Sequence, residues 1–222
     1  VFRTQFLKRT KHKEYLSIVE ARKNKYTIDW NASEIVKPNQ IGIQVIEDFD
    51  LRKLEEIMDW TPFFRSWELH GKYPEILKDE LVGKQATELF ADAQEMLQKI
   101  FDEKWLMAKA IFGIFPANTV NDDDIEVVDG DRKFKFRTLR QQLKKYAGKP
   151  NFALADFIAP QETGIRDYMG CFCVTTGFGT EDKAEMFRKD LDDYNSIMVK
   201  ALSDRLAEAF AECLHKEVRT KY

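Results

Sequence analysis

The feature that most constrains the fold is the pair Asp129-Gly130, which lies between two short strand-like segments, residues 124–128 and 133–136. An Asp-Gly pair in this position predicts a tight hairpin turn that joins two antiparallel strands. Residues 110–115 are apolar and predict another strand just before them. Because these strands follow one another without an intervening helix, the sequence favours an α+β fold over a doubly wound parallel sheet.

Helices are predicted at irregular intervals along the rest of the chain. The sequence predicts further strands at residues 41–47 and 168–174, and helices at residues 4–23, 84–104, 139–146 and about 181–215, the last with a break near residues 192–195. Asp48 and Asp50 are candidate N-caps for an additional short helix, which ends before Pro62 because a proline disfavours helical geometry at the preceding residue. Gly148 is expected to end the helix over residues 139–146.

Length and composition exclude several classes of protein. The chain has 222 residues, of which 44% are hydrophobic, so it is long enough to bury a sizeable core. Its net charge of -3 gives no electrostatic reason to expect nucleic acid or an anionic membrane as a partner. No apolar run approaches the roughly 20 residues that a membrane span requires. Without a recognisable signal peptide, the chain is expected in the cytoplasm.

Cysteine usage gives no indication of a disulfide framework or a metal site. The chain has three cysteines, at positions 171, 173 and 213, and an odd number argues against a set of paired bridges. Alternation along a strand would place the thiols of Cys171 and Cys173 on one face. The three histidines are far apart in sequence, and the ligands that zinc requires are not gathered near the cysteines. The sequence therefore predicts buried structural thiols and no metal ligand.

Two short loops resemble ligand-binding motifs without completing them. Residues 176–179, Thr-Gly-Phe-Gly, match neither of the glycine-rich phosphate-binding patterns and instead predict a strand-to-helix turn. Residues 122–124 are three consecutive aspartates, which lack the spaced ligands of a calcium loop. We expect these three carboxylates to be solvated.

Three carboxylates in the final helix are candidates for binding. Asp204, Glu208 and Glu212 are spaced by four residues, which places them on one face of the helix. Repulsion between like charges at this spacing is mildly unfavourable, although Arg205 can pair with Glu208. The face is either a solvated helix surface or a surface for a cation or a partner. One helix cannot supply a catalytic acid-base pair by itself, and no nucleophile with its base is evident.

Asp59 stands out by its local chemistry. It lies in residues 59–64, Asp-Trp-Thr-Pro-Phe-Phe, where aromatic neighbours would partly desolvate its carboxylate. One interpretation is that Asp59 caps a turn by accepting a hydrogen bond from the backbone near Thr61. The other is that Asp59 faces an ammonium or sulfonium group of a ligand, with aromatic walls nearby. The residues alone leave both interpretations open.

Several segments together resemble one family, the S-adenosylmethionine-binding reactivation domain of cobalamin-dependent methionine synthases. The similarity extends from about residue 41 to residue 222, and its motifs occur in the family's order. The matching segments are residues 59–64, 71–74, 89–93, 113–118, 154–160, 192–202, 204–212 and 214–215. Chance or a widely shared fold would not produce this set.

The resemblance implies a part of a modular methyltransferase. The family's enzymes transfer a methyl group from 5-methyltetrahydrofolate to homocysteine through cobalamin, using separate cobalamin, folate and zinc-dependent homocysteine modules. The C-terminal domain binds S-adenosylmethionine and supports reductive methylation of inactive cob(II)alamin, with an electron from flavodoxin or a flavoprotein reductase. Its implied fold is a C-shaped single α+β domain with a central, mostly antiparallel sheet, flanking helices and a long C-terminal helix.

The resemblance also implies roles for individual residues. Asp59 matches an acidic residue that contacts the amino group of S-adenosylmethionine, and Glu208 matches a glutamate near the same ligand. We expect Asp204 to face the docked cobalamin module. No catalytic residue and no metal ligand is expected within this chain, since cobalamin and zinc belong to other modules.

Domain boundaries follow from the same resemblance. Residues 1–25 are expected to form a connector helix from a preceding cobalamin-binding module, and residues 26–222 a reactivation domain that is incomplete at its C-terminus. The family's main S-adenosylmethionine-binding loop, Arg-Pro-Ala-Pro-Gly-Tyr-Pro, follows the final helix and is not in this sequence. We therefore expect weak or no binding of S-adenosylmethionine, and no turnover by this chain alone. The alternative function is a stand-alone, non-catalytic domain that docks a separate cobalamin protein in trans.

Overall fold

The structure, a computed structural model, describes residues 13–222 and has the predicted α+β class. Its strands are β1 (Gly42–Phe49), β2 (Met107–Val120), β3 (Asp124–Asp129), β4 (Arg132–Arg137) and β5 (Asp167–Phe178). Its α-helices are α1 (Ile18–Lys23), α2 (Thr61–Ser66), α3 (Gly83–Asp102), α4 (Thr180–Lys189) and α5 (Asp193–Lys221). Short 3-10 helices occupy Leu51–Ile57, Glu75–Lys78, Leu154–Phe157 and Gln161–Thr163. None of these helices is long and apolar enough to cross a membrane.

The strands form one five-stranded sheet. Its order is β1-β2-β3-β4, and β5 also pairs with β2. The pairs β2–β3 and β3–β4 are antiparallel, with Ala117 opposite Val127 and Val127 opposite Phe134. Gly130 has a φ of 58°, which a glycine adopts without the steric cost that a Cβ would impose. The hairpin predicted from Asp129-Gly130 is therefore confirmed.

The chain forms two compact units, and each has its own core. Among the described residues, the first contains residues 13–42 and 113–171, and the second contains residues 43–112 and 172–222. The chain passes from one unit to the other at the start of β1, within β2 and again within β5. The predicted boundary between a connector and a domain at residue 25 stays a prediction.

The second unit has a large apolar core built on α3 and α5. Leu202, Leu206 and Phe210 of α5 are fully buried at a spacing of four residues, as one face of a helix requires. Leu97 and Ile100 of α3 are buried in the same cluster. Both predicted helices and the break between α4 and α5 are confirmed, although α5 continues to Lys221 and not only to residue 215.

The first unit has a small apolar core and a buried ion cluster. Ala117, Ile125, Val127 and Ala155 form the core. The guanidinium of Arg140 is fully buried and donates to Asp123 (2.6 Å) and, through two nitrogens, to Asp156 (2.7 and 2.9 Å). Buried charges are tolerated only when they are paired, as they are here. The cluster therefore occupies interior space that apolar side chains would otherwise fill.

The prediction of three solvated aspartates is wrong for Asp123. Its side chain is buried and accepts hydrogen bonds from Arg140 and, at 2.7 Å, from Arg22. Asp122 stays partly exposed, and a hydrogen bond from Lys25 lowers the pKa of its carboxyl below the usual value. The partners of Asp123 come from distant parts of the chain, so the local sequence could not reveal its burial.

The helix predicted over residues 139–146 is also wrong, because this segment is extended. Its backbone is hydrogen-bonded to residues outside the segment. The amide of Leu16 donates to the carbonyl of Gln142 at 2.8 Å, and the amide of Gln141 donates to the carbonyl of Phe152 at 2.9 Å. An extended course also carries Arg140 to its buried aspartates. Here tertiary contacts override a weak local preference for helix.

The helix predicted over residues 4–23 is confirmed only in part. Residues 4–12 lie outside the residues that the structure describes, and α1 begins at Ile18. Ser17 is the N-cap of α1 and forms a capping box with Glu20. The Ser17 hydroxyl accepts from the amide of Glu20, and the Glu20 carboxylate accepts from the amide of Ser17. Residues 13–17 are extended, and Tyr15 bridges to Leu143.

Candidate ligand site

Asp59 lies in an exposed turn that joins a 3-10 helix to α2. Its Oδ1 atom accepts a hydrogen bond from the backbone amide of Thr61 at 2.9 Å, the turn cap that one interpretation of the sequence predicted. The hydroxyl of Thr61 in turn accepts from the amide of Tyr73 at 3.2 Å. Within residues 13–222 no hydrogen bond reaches Oδ2 of Asp59, so this oxygen is available to a ligand.

The aromatic residues beside Asp59 belong to the core. Trp60, Phe63 and Phe64 are all buried, and the Trp60 ring packs edge-on against Phe63 and Phe90 at centroid distances of 5.3 and 4.8 Å. The expected aromatic wall beside Asp59 is therefore not formed by these three rings. They anchor the turn and so fix the direction of the carboxylate.

The carboxylate face of α5 is exposed along its length. Asp204, Glu208 and Glu212 are all exposed, opposite the buried stripe that includes Leu206. Glu208 pairs with Arg205 as the sequence predicted, with both carboxylate oxygens bonded at 2.6 and 2.9 Å. The Arg205 side chain is 14% exposed, so packing holds it and restricts the rotamers of Glu208.

A cavity of about 640 Å³ lies beside the last turns of α5. Ile57 and Phe172 line one side, and α5 contributes Glu212, His215 and Arg219 among others. The His215 ring packs edge-on against Phe172 at 5.0 Å. The cavity thus combines an aromatic surface with charges of both signs, which suits a zwitterionic ligand that carries a ring.

The predicted residues are not among those that line this cavity, although they are close in sequence to residues that do. Ile57 lies two residues before Asp59 in the chain, and Glu208 lies one helical turn before Glu212 on the same face of α5. No hydrogen bond or ion pair joins Asp59 to Glu208 or Asp204 in the part of the chain that the structure describes. The sequence did not single out Phe172 and His215, because nothing local distinguishes them from ordinary strand and helix residues.

The cysteines are not placed as predicted. Cys171 and Cys173 are exposed on β5, so the prediction of buried thiols is wrong for both, and Cys213 is half-buried on α5. The middle of β5 is exposed on both faces, a property that an apolar sequence run does not reveal. No group of three potential metal ligands occurs among residues 13–222.

The three thiols should differ in reactivity. Burial raises the pKa of the Cys213 thiol, and the nearby Glu217 carboxylate adds to this shift. Since the thiolate is the reactive form, alkylation of Cys213 by iodoacetamide at neutral pH should be roughly tenfold slower than that of Cys171 or Cys173. Peptide mass spectrometry over time would measure the three rates separately. Equal rates would show that Cys213 is as accessible as the other two.

The strand-to-helix turn predicted over residues 176–179 is confirmed only at Gly179, because residues 176–178 still belong to β5. β5 ends at Phe178, Gly179 has a φ of 94°, and α4 begins at Thr180. The hydroxyl of Thr180 donates to Ser203 of α5 at 2.9 Å, so the turn also fixes α4 against α5. This loop supports the long helix that carries Glu208.

Comparisons with known proteins agree with one another. A family model described as "Vitamin B12 dependent methionine synthase, activation domain" matches residues 50–222. A solved structure described as the MetH reactivation domain bound to AdoHcy is 46% identical and aligns with a TM-score of 0.87 over 94% of this chain. The chain covers 64% of the length of that protein chain.

Proposed function

Because the chain belongs to the family of vitamin B12 dependent methionine synthase activation domains, we propose that it binds S-adenosylmethionine and supports reductive methylation of inactive cob(II)alamin. The observation that carries this proposal is the 46% identity to a reactivation domain whose structure contains AdoHcy. AdoHcy is S-adenosylmethionine without the transferable methyl group. On this proposal the chain acts within a methionine synthase, which moves a methyl group from 5-methyltetrahydrofolate to homocysteine.

Asp59 is proposed to bind the amino group of the ligand. Its Oδ1 accepts a hydrogen bond from the amide of Thr61, which restrains the carboxylate and leaves Oδ2 without a hydrogen bond from residues 13–222. A hydrogen bond between a carboxylate and an ammonium group is among the stronger polar contacts in proteins. The buried Trp60 beside it keeps this turn in place when the ligand is absent.

Glu208 is proposed as the second carboxylate of the site. The pair with Arg205 holds it on the exposed face of α5, one helical turn before Glu212, which lines the cavity. A negative group in this position would attract the positively charged sulfonium. The Phe172 and His215 rings offer a surface for the adenine, and Arg219 offers a cation for the ligand carboxylate.

The partners of the domain are proposed from the family. The cobalamin-binding module of the same polypeptide would dock over this domain, with Asp204 in the contact surface and residues 1–25 as the connector. Flavodoxin or a flavoprotein reductase would supply the electron. Zinc and cobalamin would be held by other modules, and the cytoplasmic location remains a prediction from the sequence.

Exchange of the Asp59 carboxylate for an amide tests the site. Asp59→Asn keeps the oxygen that caps the turn and removes the charge, so the fold should be unaffected. A hydrogen bond to a charged group contributes about 1.5–3 kcal/mol. Its loss should therefore weaken binding of S-adenosylmethionine or AdoHcy by at least about tenfold. Ligand-observed NMR on the 222-residue chain suits this measurement, because the expected affinity is low.

Two results would contradict this proposal. Asp59→Asn and Glu208→Gln should both weaken binding, whereas Glu88→Gln, which changes an exposed carboxylate of α3, should not. Equal affinity of all three variants would remove Asp59 and Glu208 from the site. Absence of any saturable signal at millimolar ligand would contradict the proposal that this chain binds S-adenosylmethionine. A dissociation constant below about 10 μM would contradict the expectation of weak binding.

A further inference from the structure

The outer strand β4 is the most exposed element of the sheet. It ends the strand order, and within residues 13–222 it pairs with β3 alone. All six of its residues, Arg132–Arg137, are exposed. Its outer edge therefore offers a row of backbone donors and acceptors that an additional strand can use.

One face of β4 extends the small core of the first unit. Phe134 lies opposite Val127 and Phe136 lies opposite Ile125, and both partners are buried in that core. The two phenylalanines are nevertheless 48% and 42% exposed. Large aromatic side chains at this degree of exposure leave apolar surface that a neighbouring strand would cover.

The other face of β4 is cationic. Lys135 lies opposite Glu126 and Arg137 lies opposite Asp124, and Lys133 reaches Glu126 at 2.8 Å. The sequence of β3 thus illustrates what complements β4, namely acidic residues that alternate with apolar ones. The outer edge of β4 presents the same alternation of phenylalanine and cation to a strand on that side.

A second copy of this strand is a poor partner. Four of the six residues of β4 are cations, so pairing of two copies would bring like charges together. Like charges in directly opposite positions destabilise strand pairing. The charge pattern therefore protects the edge against self-association and selects for an acidic partner.

We propose that β4 is a docking edge for an extended segment of a partner protein in which acidic residues alternate with apolar ones. The segment pairs with the backbone of β4. Its apolar side chains cover Phe134 and Phe136, and its acidic side chains meet Lys133, Lys135 and Arg137. This is recognition by strand addition, in which the main chain gives affinity and alternate side chains give specificity.

The test uses a fluorescein-labelled peptide of alternating glutamate and valine, about six residues long. Fluorescence anisotropy with the 222-residue chain should detect saturable binding. A peptide of alternating lysine and valine should not bind. Methylation of the backbone nitrogens that face β4 should abolish binding, whereas methylation of the nitrogens that face away should preserve it. This pair of peptides separates strand addition from charge attraction without altering the protein.

A protein variant supplies the second arm. Phe134→Thr combined with Phe136→Thr keeps strand-forming residues and should weaken binding about tenfold. The proposal is overturned if the glutamate-valine peptide does not bind at millimolar concentration, or if both methylated peptides bind equally. It is also overturned if a single-stranded oligonucleotide displaces the peptide at lower concentration, or if the chain dimerises and the variant abolishes the dimer.

Discussion

Replacement of Arg140 by methionine is expected to destabilise the protein by about 3–5 kcal/mol. The substitution keeps an unbranched side chain of similar length but removes the guanidinium. Asp156, whose side chain is only 2% exposed, would then be buried without its cation, and Asp123 would keep only its contact with Arg22. Removal of one partner of a buried ion pair is costly because the other charge loses both its partner and its water.

The hydrogen bonds of Arg140 make this cost large. Its nitrogens reach both aspartates and also donate to the carbonyls of Asn151 (2.8 Å) and Asp122 (3.0 Å). Burial alone would lower the pKa of Arg140, but the hydrogen bonds to Asp156 and Asp123 outweigh burial and raise it. The arginine therefore stays charged, and all of these contacts are lost together in the variant.

Urea unfolding followed by circular dichroism would measure the change in the free energy of unfolding. Hydrogen exchange would place the loss of protection within residues 113–171. The matched control is Arg188→Met, which removes an exposed pair with Glu185 on α4 and should change stability by less than about 1 kcal/mol. Similar effects of the two substitutions would mean that the buried cluster is replaceable by apolar packing.

Gly179→Ala is expected to destabilise the second unit by about 2–5 kcal/mol. A residue with a Cβ in the left-handed region costs about 1–2 kcal/mol. A Cβ at Gly179 would in addition overlap the backbone carbonyl oxygen of Trp105. Overpacking against an atom that cannot rotate away adds about 1–3 kcal/mol.

The position of Trp105 prevents a simple adjustment. Its indole nitrogen donates to Glu103 at 2.7 Å, and the ammonium of Lys183 lies 3.6 Å from the ring centroid. Thermal unfolding would measure the loss, and binding of the ligand should weaken in parallel, since the turn supports α5. Gly177→Ala is the control, because a Cβ there meets only the Thr175 hydroxyl at an ordinary 3.5 Å. Equal melting temperatures for the two variants would contradict this account.

The elements that could be predicted are those whose signals are local. The apolar spacing in α3 and α5, the hairpin at Gly130 and the turn at Gly179 each depend on residues within a few positions of one another. Asp59 is an intermediate case. Its turn cap is a local interaction that the sequence allowed, and the structure contains it, whereas its role toward a ligand remains a proposal.

The sequence by itself determined the fold class, the long helices and the family. The tertiary structure alone decided that residues 139–146 are extended, that Asp123 is buried, and that Cys171 and Cys173 are exposed. The ion pair between Arg22 and Asp123 joins residues 101 positions apart. A local pattern cannot encode such a contact, because burial of a charge is favourable only when its partner arrives from elsewhere in the fold. The same reason explains why β4, with its exposed phenylalanines, could be recognised as an open edge only in the folded sheet.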